Sequence, residues 1–107
     1  MGSGQPSKAK RGKHRWIGLC VAESLDERES LSTFLESHLE LIHDWRLFDL
    51  QLTDDGLRAI IRVRLEDYPA ALEALSEGKV VSMTASGKIR LVRERLGLQR
   101  PVRRRSR

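Results

Sequence analysis

The stretch TASGKIRLVRER, residues 84–95, places a Ser-Gly pair directly before a run in which arginines alternate with apolar residues. Serine and glycine are common where a chain turns tightly, and the guanidinium group presents a planar fork of donors that matches phosphate oxygens. Five further arginines follow before the chain ends. This combination predicts contact with a polyanion such as nucleic acid, made through its phosphate groups.

Charge is distributed unevenly along the 107-residue chain. Residues 1–15 hold five cations and no acid, and residues 88–107 hold nine cations against Glu94 alone. Between them, residues 16–87 hold fourteen acids against six cations. An acidic body with two basic ends indicates polyanion contact through the ends and the last folded element, and a different contact through the body.

The residues predicted to bind RNA are the cations near the first strand, two arginines of the third strand, the Ser-Gly turn, and the cations that follow it. They are Lys13, Arg15, Arg62, Arg64, Ser86, Gly87, Lys88, Arg90, Arg93, Arg95, Arg103, Arg104 and Arg105. For Arg58, Arg62 and Arg64 the alternative is cross-strand pairing with Asp49 and neighbouring acids, and the sequence leaves both interpretations open. If Gly87 is left-handed, Gly87→Ala should lower the stability by about 1 kcal/mol or more.

The sequence shows no pattern typical of catalysis, metal binding or a cofactor. His38 and His43 are five residues apart without a second pair of soft ligands, and phosphate-binding glycine loops are absent. The carboxylates of residues 26–44 fit a solvated helix face. No catalytic residue, metal or cofactor is therefore predicted, and the protein is not expected to be an enzyme.

Location is inferred from what the sequence lacks and from one cysteine. No stretch approaches the roughly 20 apolar residues of a membrane span, and the basic N-terminus has no apolar signal segment. Cys20 is the only cysteine, lies in an apolar run and is predicted to be buried. A lone thiol fits a reducing compartment, so a cytoplasmic protein without a membrane partner is predicted.

Hydrophobic periodicity predicts the elements that position these residues. We expect strands at 16–22, 46–53, 57–65 and 79–84, and helices at 24–44 and 68–77. A last short helix ending at Gly97 is favoured over a strand. Asp54-Asp55-Gly56 is typical of a hairpin turn, and Ser24 with Glu27 has the spacing of a capping box.

Alternation along the hairpin strands predicts their faces. Phe48, Leu50 and Leu52 are expected on one face of the second strand and Asp49 on the other. The third strand should turn its arginines away from the core. Because that strand has no aromatic residue, a stacking platform for single-stranded bases is not predicted.

The element order β-α-β-β-α-β predicts an α+β fold of ferredoxin-like type. It has an antiparallel sheet with helices on one face, an open opposite face, and disordered basic tails. The expected divisions are a disordered basic arm at 1–13, a single ferredoxin-like domain at 14–97, and an arginine-rich tail at 98–107.

Four features resemble the archaeal and eukaryotic ribonuclease P protein component 2 family. KHRWIGLCVA is similar to the basic and aromatic lead into the family's first strand, and RAIIRVRLEDYPAALEAL resembles its third strand and the helix that follows. ASGKIR resembles the family signature Ser-Gly-Thr-Ile-Arg/Lys, with Lys88 at the threonine position. The cationic run after it also fits the family.

The resemblance implies a ferredoxin-like fold and a protein that is not itself catalytic. In that family the RNA subunit removes tRNA 5′ leaders, and the protein binds the catalytic region of the RNA beside a second protein subunit. Carried over, Ser86, Gly87, Ile89 and Arg90 form the signature turn, and Arg62 is the arginine of the third strand.

The expected partners are therefore a structured RNA, either ribonuclease P RNA or a tRNA precursor, and a second protein subunit of the same particle. The acidic helix 24–44 and one sheet edge are the expected protein-binding surface. Two alternatives remain. One is an ACT-like regulatory or adaptor module whose tails serve only solubility, and the other is a ribosome-associated RNA-binding protein.

Overall fold

The computed structural model describes residues 13–42 and 44–98, and the predictions that fall on 1–12, His43 and 99–107 lie outside these residues. Short 3₁₀ turns at Glu23–Leu25 and Leu65–Asp67 precede the first two helices. The elements in chain order are β1 (His14–Val21), α1 (Arg28–His38), β2 (Arg46–Thr53), β3 (Gly56–Arg64), α2 (Tyr68–Ala74), β4 (Val80–Ser86) and α3 (Ile89–Leu96). Of the described helices, none has the length and apolar character needed to cross a bilayer.

The four strands form one open sheet in the order β2-β3-β1-β4, and every neighbouring pair is antiparallel. Strand β3 lies between β1 and β2, and β1 lies between β3 and β4. Each β-α-β half thus encloses a strand of the other half, which is the split β-α-β arrangement. The predicted α+β class is confirmed, and the order is compatible with a ferredoxin-like fold.

The main hydrophobic core lies between the sheet and the helices α1 and α2, and we call this side of the sheet the α1/α2 face. Its residues follow the period of two in the strands and the three- or four-residue spacing of the helices, as predicted. The buried members are Ile17, Leu19, Val21, Leu31, Leu35, Leu39, Ile42, Leu57, Ala59, Ile61, Val63, Ala71, Leu75 and Val80.

Helix α3 lies on the opposite side of the sheet, which we call the α3 face. Val92 and Leu96 of this helix, together with Leu98, form a second and smaller apolar cluster with Ile60 of β3. Trp16 packs against this cluster. The expectation of an open face is thus corrected, because α3 covers part of it. Leu98 was assigned to the tail, yet it is buried.

Gly18 of β1 permits the close approach of α3. A Cβ at this position would lie 3.0 Å from Leu96 Cδ1, from Val92 Cγ1 and from Thr84 Cγ2. A glycine inside a strand often marks a site where another segment comes close to the backbone. The glycine in WIGLCVA is therefore a packing residue of the α3 face.

Helix α1 is shorter than the helix predicted over 24–44. It begins at Arg28 after a separate 3₁₀ turn, and its N-cap Glu27 makes no side-chain capping hydrogen bond, so the predicted capping box with Ser24 does not form. After His38 the chain leaves the helix, although Leu39 and Ile42 remain buried in the core. The apolar stripe therefore continues beyond the helical backbone.

A β-bulge changes the faces of β2. The register shifts between Leu47 and Asp49, where Leu47 pairs with Ile61 and Asp49 with Ile60. Phe48 lies on the α3 face, because its ring contacts Trp16. The expectation that Phe48 shares a face with Leu50 is wrong, since a bulge inserts one residue and re-aims the side chains around it.

An arginine engages backbone carbonyls on each outer strand of the sheet. On β2, Arg28 Nη2 donates to the Leu47 carbonyl at 2.8 Å and to the Phe48 carbonyl at 3.3 Å. On β4, Arg95 Nη1 donates to the Ala85 carbonyl at 3.0 Å. These side chains tie α1 to β2 and α3 to β4.

Candidate nucleic-acid interface

The antiparallel register gathers most of the predicted RNA-binding residues at one end of the sheet. His14 of β1 pairs with Arg64 of β3, and Trp16 pairs with both Arg62 and Ser86. Strand β2 starts at the same end, where Arg46 pairs with Arg62. We call this region the basic end, and its cations are Lys13, Arg15, Arg46, Arg62, Arg64, Lys88 and Arg90.

Most of the positive charge at the basic end is free to meet an anion. Lys13, Arg46, Lys88 and Arg90 are exposed, and the other three cations are partly exposed. Arg64 Nε lies 3.6 Å from Asp44 Oδ2, in an ion pair whose members are both well hydrated. Between residues 13 and 98, His43 excepted, no other member of this set forms an ion pair. A solvated pair of this kind is weak, so an anionic ligand can compete for Arg64.

The opposite end of the sheet carries acidic residues. Asp54 and Asp55 of the hairpin turn are exposed, as are Glu23 and Asp26 after β1. Arg58 lies at this end but is buried, and its guanidinium donates to the carbonyls of Leu57 and Asp55. Cations thus predominate at one end, although the exposed Asp44 and Glu66 also lie there, and Arg58 lies away from the basic end.

A serine hydroxyl supports the turn at Ser86 and Gly87. Ser86 is the last residue of β4, and its Oγ accepts a hydrogen bond from the Lys88 backbone N–H at 3.2 Å. Gly87 is not left-handed, because the positive-φ glycines of the described chain are Gly56, Gly78 and Gly97. The loss of stability expected from Gly87→Ala depended on a left-handed Gly87, so it is no longer expected. The serine hydroxyl thus stabilises a short turn that leads into α3, with the exposed Lys88 as the N-cap residue of that helix.

Arg15 lies beside this turn. A Cβ on Gly87 would be 3.1 Å from Arg15 Nη1, and the same nitrogen lies 3.4 Å from the His14 carbonyl, to which it donates. Arg15 precedes Gly87 by 72 residues in the sequence. The fold nevertheless brings this cation of the first strand and the Ser-Gly pair into one continuous surface. The small size of glycine leaves room for the guanidinium.

Arg93 and Arg95 are predicted RNA-binding residues that make hydrogen bonds within the protein. Arg93 forms a bidentate pair with Asp49 of β2, at 2.7 Å from Nε and 3.0 Å from Nη2. The hydrogen bond to Asp49 raises the pKa of Arg93 above its ordinary value, against the effect of burial. Arg95 donates to Thr84 Oγ1 and to the Ala85 carbonyl. Both arginines hold α3 on the sheet, and Asp49 therefore pairs with α3 and not with an arginine of β3.

Four side chains from three strands form a cluster at the basic end of the α3 face, which we call the aromatic-arginine corner. The Phe48 and Trp16 rings meet edge to face, with centroids 6.4 Å apart. The Arg62 guanidinium lies over the Phe48 ring, 5.5 Å from its centroid, and the His14 ring is 6.4 Å from Trp16. Periodicity within one strand does not reveal this cluster, because Phe48 reaches it through the bulge.

The corner contains two buried donors without an acceptor. Trp16 Nε1 and Arg62 Nε have no hydrogen-bond partner among the described residues. Burial lowers the pKa of His14 below its ordinary value of 6.5, and the charges of Arg62 and Arg64 lower it further while Asp44 opposes them. The corner is therefore electropositive and has unused capacity to donate hydrogen bonds.

The remaining candidates for chemistry are dispersed. Within 13–42 and 44–98, no group of three or more His, Cys, Asp or Glu residues is arranged to hold a metal ion. Cys20, expected to be buried, is partly exposed, and Arg58 Nη1 lies 3.6 Å from its Sγ. His38 stacks on Phe34 with ring centroids 4.2 Å apart.

Comparison with known proteins returned no match to any protein-family model, curated protein or solved structure. The resemblance in ASGKIR and in the third strand accordingly remains a hypothesis.

Proposed function

We propose that this chain is a non-catalytic RNA-binding protein that contacts RNA phosphates through its basic end. The observation that carries the proposal is the gathering at one end of the sheet of seven cations, four of them exposed, from β1 and the residue before it, from β2 and β3, and from the β4–α3 turn and the start of α3. Such a cluster neutralises phosphates and releases condensed counterions, which provides affinity largely independent of sequence.

In its specific form the proposal makes the RNA partner ribonuclease P RNA or a tRNA precursor. Its support is the resemblance of ASGKIR to the family signature and the position of Lys88 and Arg90 directly after the turn that Arg15 approaches. In this role the RNA cleaves the tRNA leader, and the protein neutralises phosphates and orients the RNA. Cytoplasmic location is part of the same proposal.

A second protein subunit is proposed at the acidic end of the sheet. Glu23, Asp26, Leu50, Leu52 and Leu57 line a cleft there, and Leu52 is 71% exposed. Apolar side chains rimmed by carboxylates fit a protein partner with basic residues around an apolar contact. Leu52→Asp should remove a stoichiometric protein partner from the purified particle while leaving RNA binding unchanged.

The RNA-binding proposal is tested by filter binding to ribonuclease P RNA over a series of salt concentrations. We expect the logarithm of the affinity to fall linearly with the logarithm of the salt concentration. Lys88→Ala and Arg90→Ala should each weaken binding and reduce the magnitude of the salt slope by about one phosphate contact. Lys79→Ala is the matched control, because Lys79 is an exposed cation at the acidic end.

Two outcomes would contradict the proposal at different levels. A flat salt dependence, or equal losses from Lys79→Ala and Lys88→Ala, would show that the basic end is not the RNA-binding surface. Equal affinity for ribonuclease P RNA, for an unrelated structured RNA of the same size and for heparin would remove the specific partner and leave only general polyanion binding.

A further inference from the structure

The basic end contains more than the charges that phosphate binding requires. Helix α3 packs mainly on β1 and β4, so the β2 side of the α3 face is left uncovered at this end. The aromatic-arginine corner lies there, and its four members His14, Trp16, Phe48 and Arg62 are all partly exposed. The ion pair between Arg93 and Asp49 holds the adjacent side of α3 in place.

The two buried donors of the corner call for an acceptor. Buried polar groups in proteins nearly always have a hydrogen-bond partner, and an unpaired one is costly. Trp16 Nε1 can only donate, and so can Arg62 Nε. Both nitrogens are buried in the free chain, so a ligand with oxygen or nitrogen acceptors would reach them only if the partly exposed Trp16 and Arg62 side chains turn on binding.

The aromatic rings of Phe48 and Trp16 favour one class of ligand over the others. Aromatic side chains beside an arginine are the surface on which unpaired nucleobases stack, since every base has a π face and acceptors on its edge. A phosphate would satisfy the donors but would make no use of Phe48 or Trp16. An acidic protein segment would also leave the rings unused.

We propose that the aromatic-arginine corner binds an unpaired nucleobase of the RNA, with the base stacked against the partly exposed Phe48 and Arg62 side chains. This inference rests on the proposed RNA-binding function and adds to it. The exposed cations bind the phosphates of the backbone, and the corner requires a single-stranded nucleotide beside them.

The experiment compares an oligouridylate with an abasic ribo-oligomer of the same length, which carries the same phosphates without bases. The wild-type chain should bind the oligouridylate more tightly by about 5- to 100-fold, the range expected for one stacked base. Phe48→Leu, which keeps an apolar side chain, should reduce this ratio towards one. Lys88→Ala should weaken both oligomers and leave the ratio unchanged.

A second measurement uses the fluorescence of Trp16 in a Trp45→Phe chain, where Trp16 is the only tryptophan. The oligouridylate should quench Trp16 and the abasic oligomer should not, and this holds even if Phe48→Leu fails to fold.

The outcomes separate the two proposals. Equal binding of both oligomers by the wild type, with a preserved salt slope and without selective quenching, would overturn base binding while leaving phosphate binding intact. If neither oligomer binds and Lys88→Ala has no effect on structured RNA, the RNA-binding function itself is wrong.

Discussion

The two faces of the sheet are built from the same strands but have different compositions. On the α1/α2 face all fourteen buried residues are apolar, and two helices cover them. On the α3 face four apolar residues are buried where one short helix packs on the sheet, and the same face carries a buried arginine and an ion pair. The first face excludes water beneath its two helices but leaves Leu52 exposed at the acidic end, and the second excludes water only where α3 lies.

The α1/α2 face therefore contributes mainly to the stability of the fold, and the α3 face provides the groups proposed to bind a ligand. The apolar area removed from water, and with it most of the stabilisation, is on the α1/α2 face. The α3 face keeps cations and aromatic rings near solvent and leaves two buried donors unpaired, which a protein tolerates when the other face provides enough stability. Substitutions on the two faces should therefore affect different properties.

The largest effect is expected from the main core. Leu35→Ala removes a fully buried side chain and should lower the free energy of unfolding by about 2–5 kcal/mol. Leu96→Ala, at a position 8% exposed in the smaller cluster, should cost less, near the lower end of that range. Urea unfolding followed by circular dichroism measures both. A larger loss from Leu96→Ala would show that α3 contributes to stability as much as the main core does.

Gly18 probes how closely α3 approaches the sheet. Gly18→Ala should lower the free energy of unfolding by about 1–3 kcal/mol, because its Cβ meets three methyl groups at 3.0 Å. Leu96→Ala removes one of these methyl groups, so the double substitution should cost less than the sum of the two single ones. Strict additivity would mean that α3 moves away freely, and the α3 face would then be less well packed than the contacts indicate.

The ion pair that links α3 to β2 should show an asymmetry. The Asp49 side chain is 10% exposed and that of Arg93 is 24% exposed. Removing Arg93 leaves the more buried charge without its partner, so Arg93→Met should cost about 1–3 kcal/mol and more than Asp49→Asn. Unfolding free energies at neutral pH measure the order, and the reverse order would contradict this account of the link.

Two glycines that flank α3 give a smaller and sharper test. Gly97 caps the helix at φ 74° in the left-handed region, so Gly97→Ala should cost about 1 kcal/mol. Gly87 has no positive φ, and a methyl group there meets only the mobile end of Arg15. Gly87→Ala should therefore cost less than about 0.5 kcal/mol. Equal shifts in melting temperature would disagree with the serine-supported turn.

The smallest expected effect is the pH dependence from His14. Its pKa in the folded chain lies below 6.5, chiefly through burial and then through Arg62. As the pH falls below 6.5, the unfolded chain binds a proton at His14 before the folded chain does. The stability of the folded chain is therefore highest above pH 6.5 in this respect, and it decreases as the pH falls towards the lower pKa of the folded state. His14→Gln should flatten stability in that window.

A nuclear magnetic resonance titration of His14 tests the cause of this shift. Arg62→Met should bring the pKa of His14 closer to its ordinary value, and Asp44→Asn should lower it further, since the Asp44 charge opposes the shift. A His14 pKa at or above 6.5 in the folded protein would show that the corner is neither buried nor electropositive.

Local patterns in the sequence predict the elements and the main core well. Alternation along β3 places Ala59 and Ile61 in the core and Ile60 on the other face, as the structure confirms. The hairpin signal is also correct, and Gly56 takes a positive φ of 120° in that turn. Each of these features depends on neighbours in the chain or on a single period, which a sequence displays directly.

The candidate site depends on contacts that a sequence does not display. One inserted residue at the β2 bulge moves Phe48 to the α3 face, and no local pattern marks it. The neighbours of Trp16 come from all three other strands, so its environment depends on strand order. The position of α3 depends on Gly18. Its packing role is not apparent from the sequence, because it depends on contact with a helix that lies far away along the chain. The sequence shows that the two ends of the chain are basic and its middle is acidic. It does not show that cations of three strands meet at one end of the sheet.

The two helix arginines that bind carbonyls of the outer strands have a consequence for self-association. A bare strand edge is a template on which another chain can add a strand, and proteins commonly protect such edges with charged side chains and bulges. Here Arg28 binds two carbonyls at the bulge of β2, and Arg95 binds one on β4. Growth of the sheet by edge-to-edge pairing would have to displace a guanidinium on either side, so aggregation through strand addition is disfavoured.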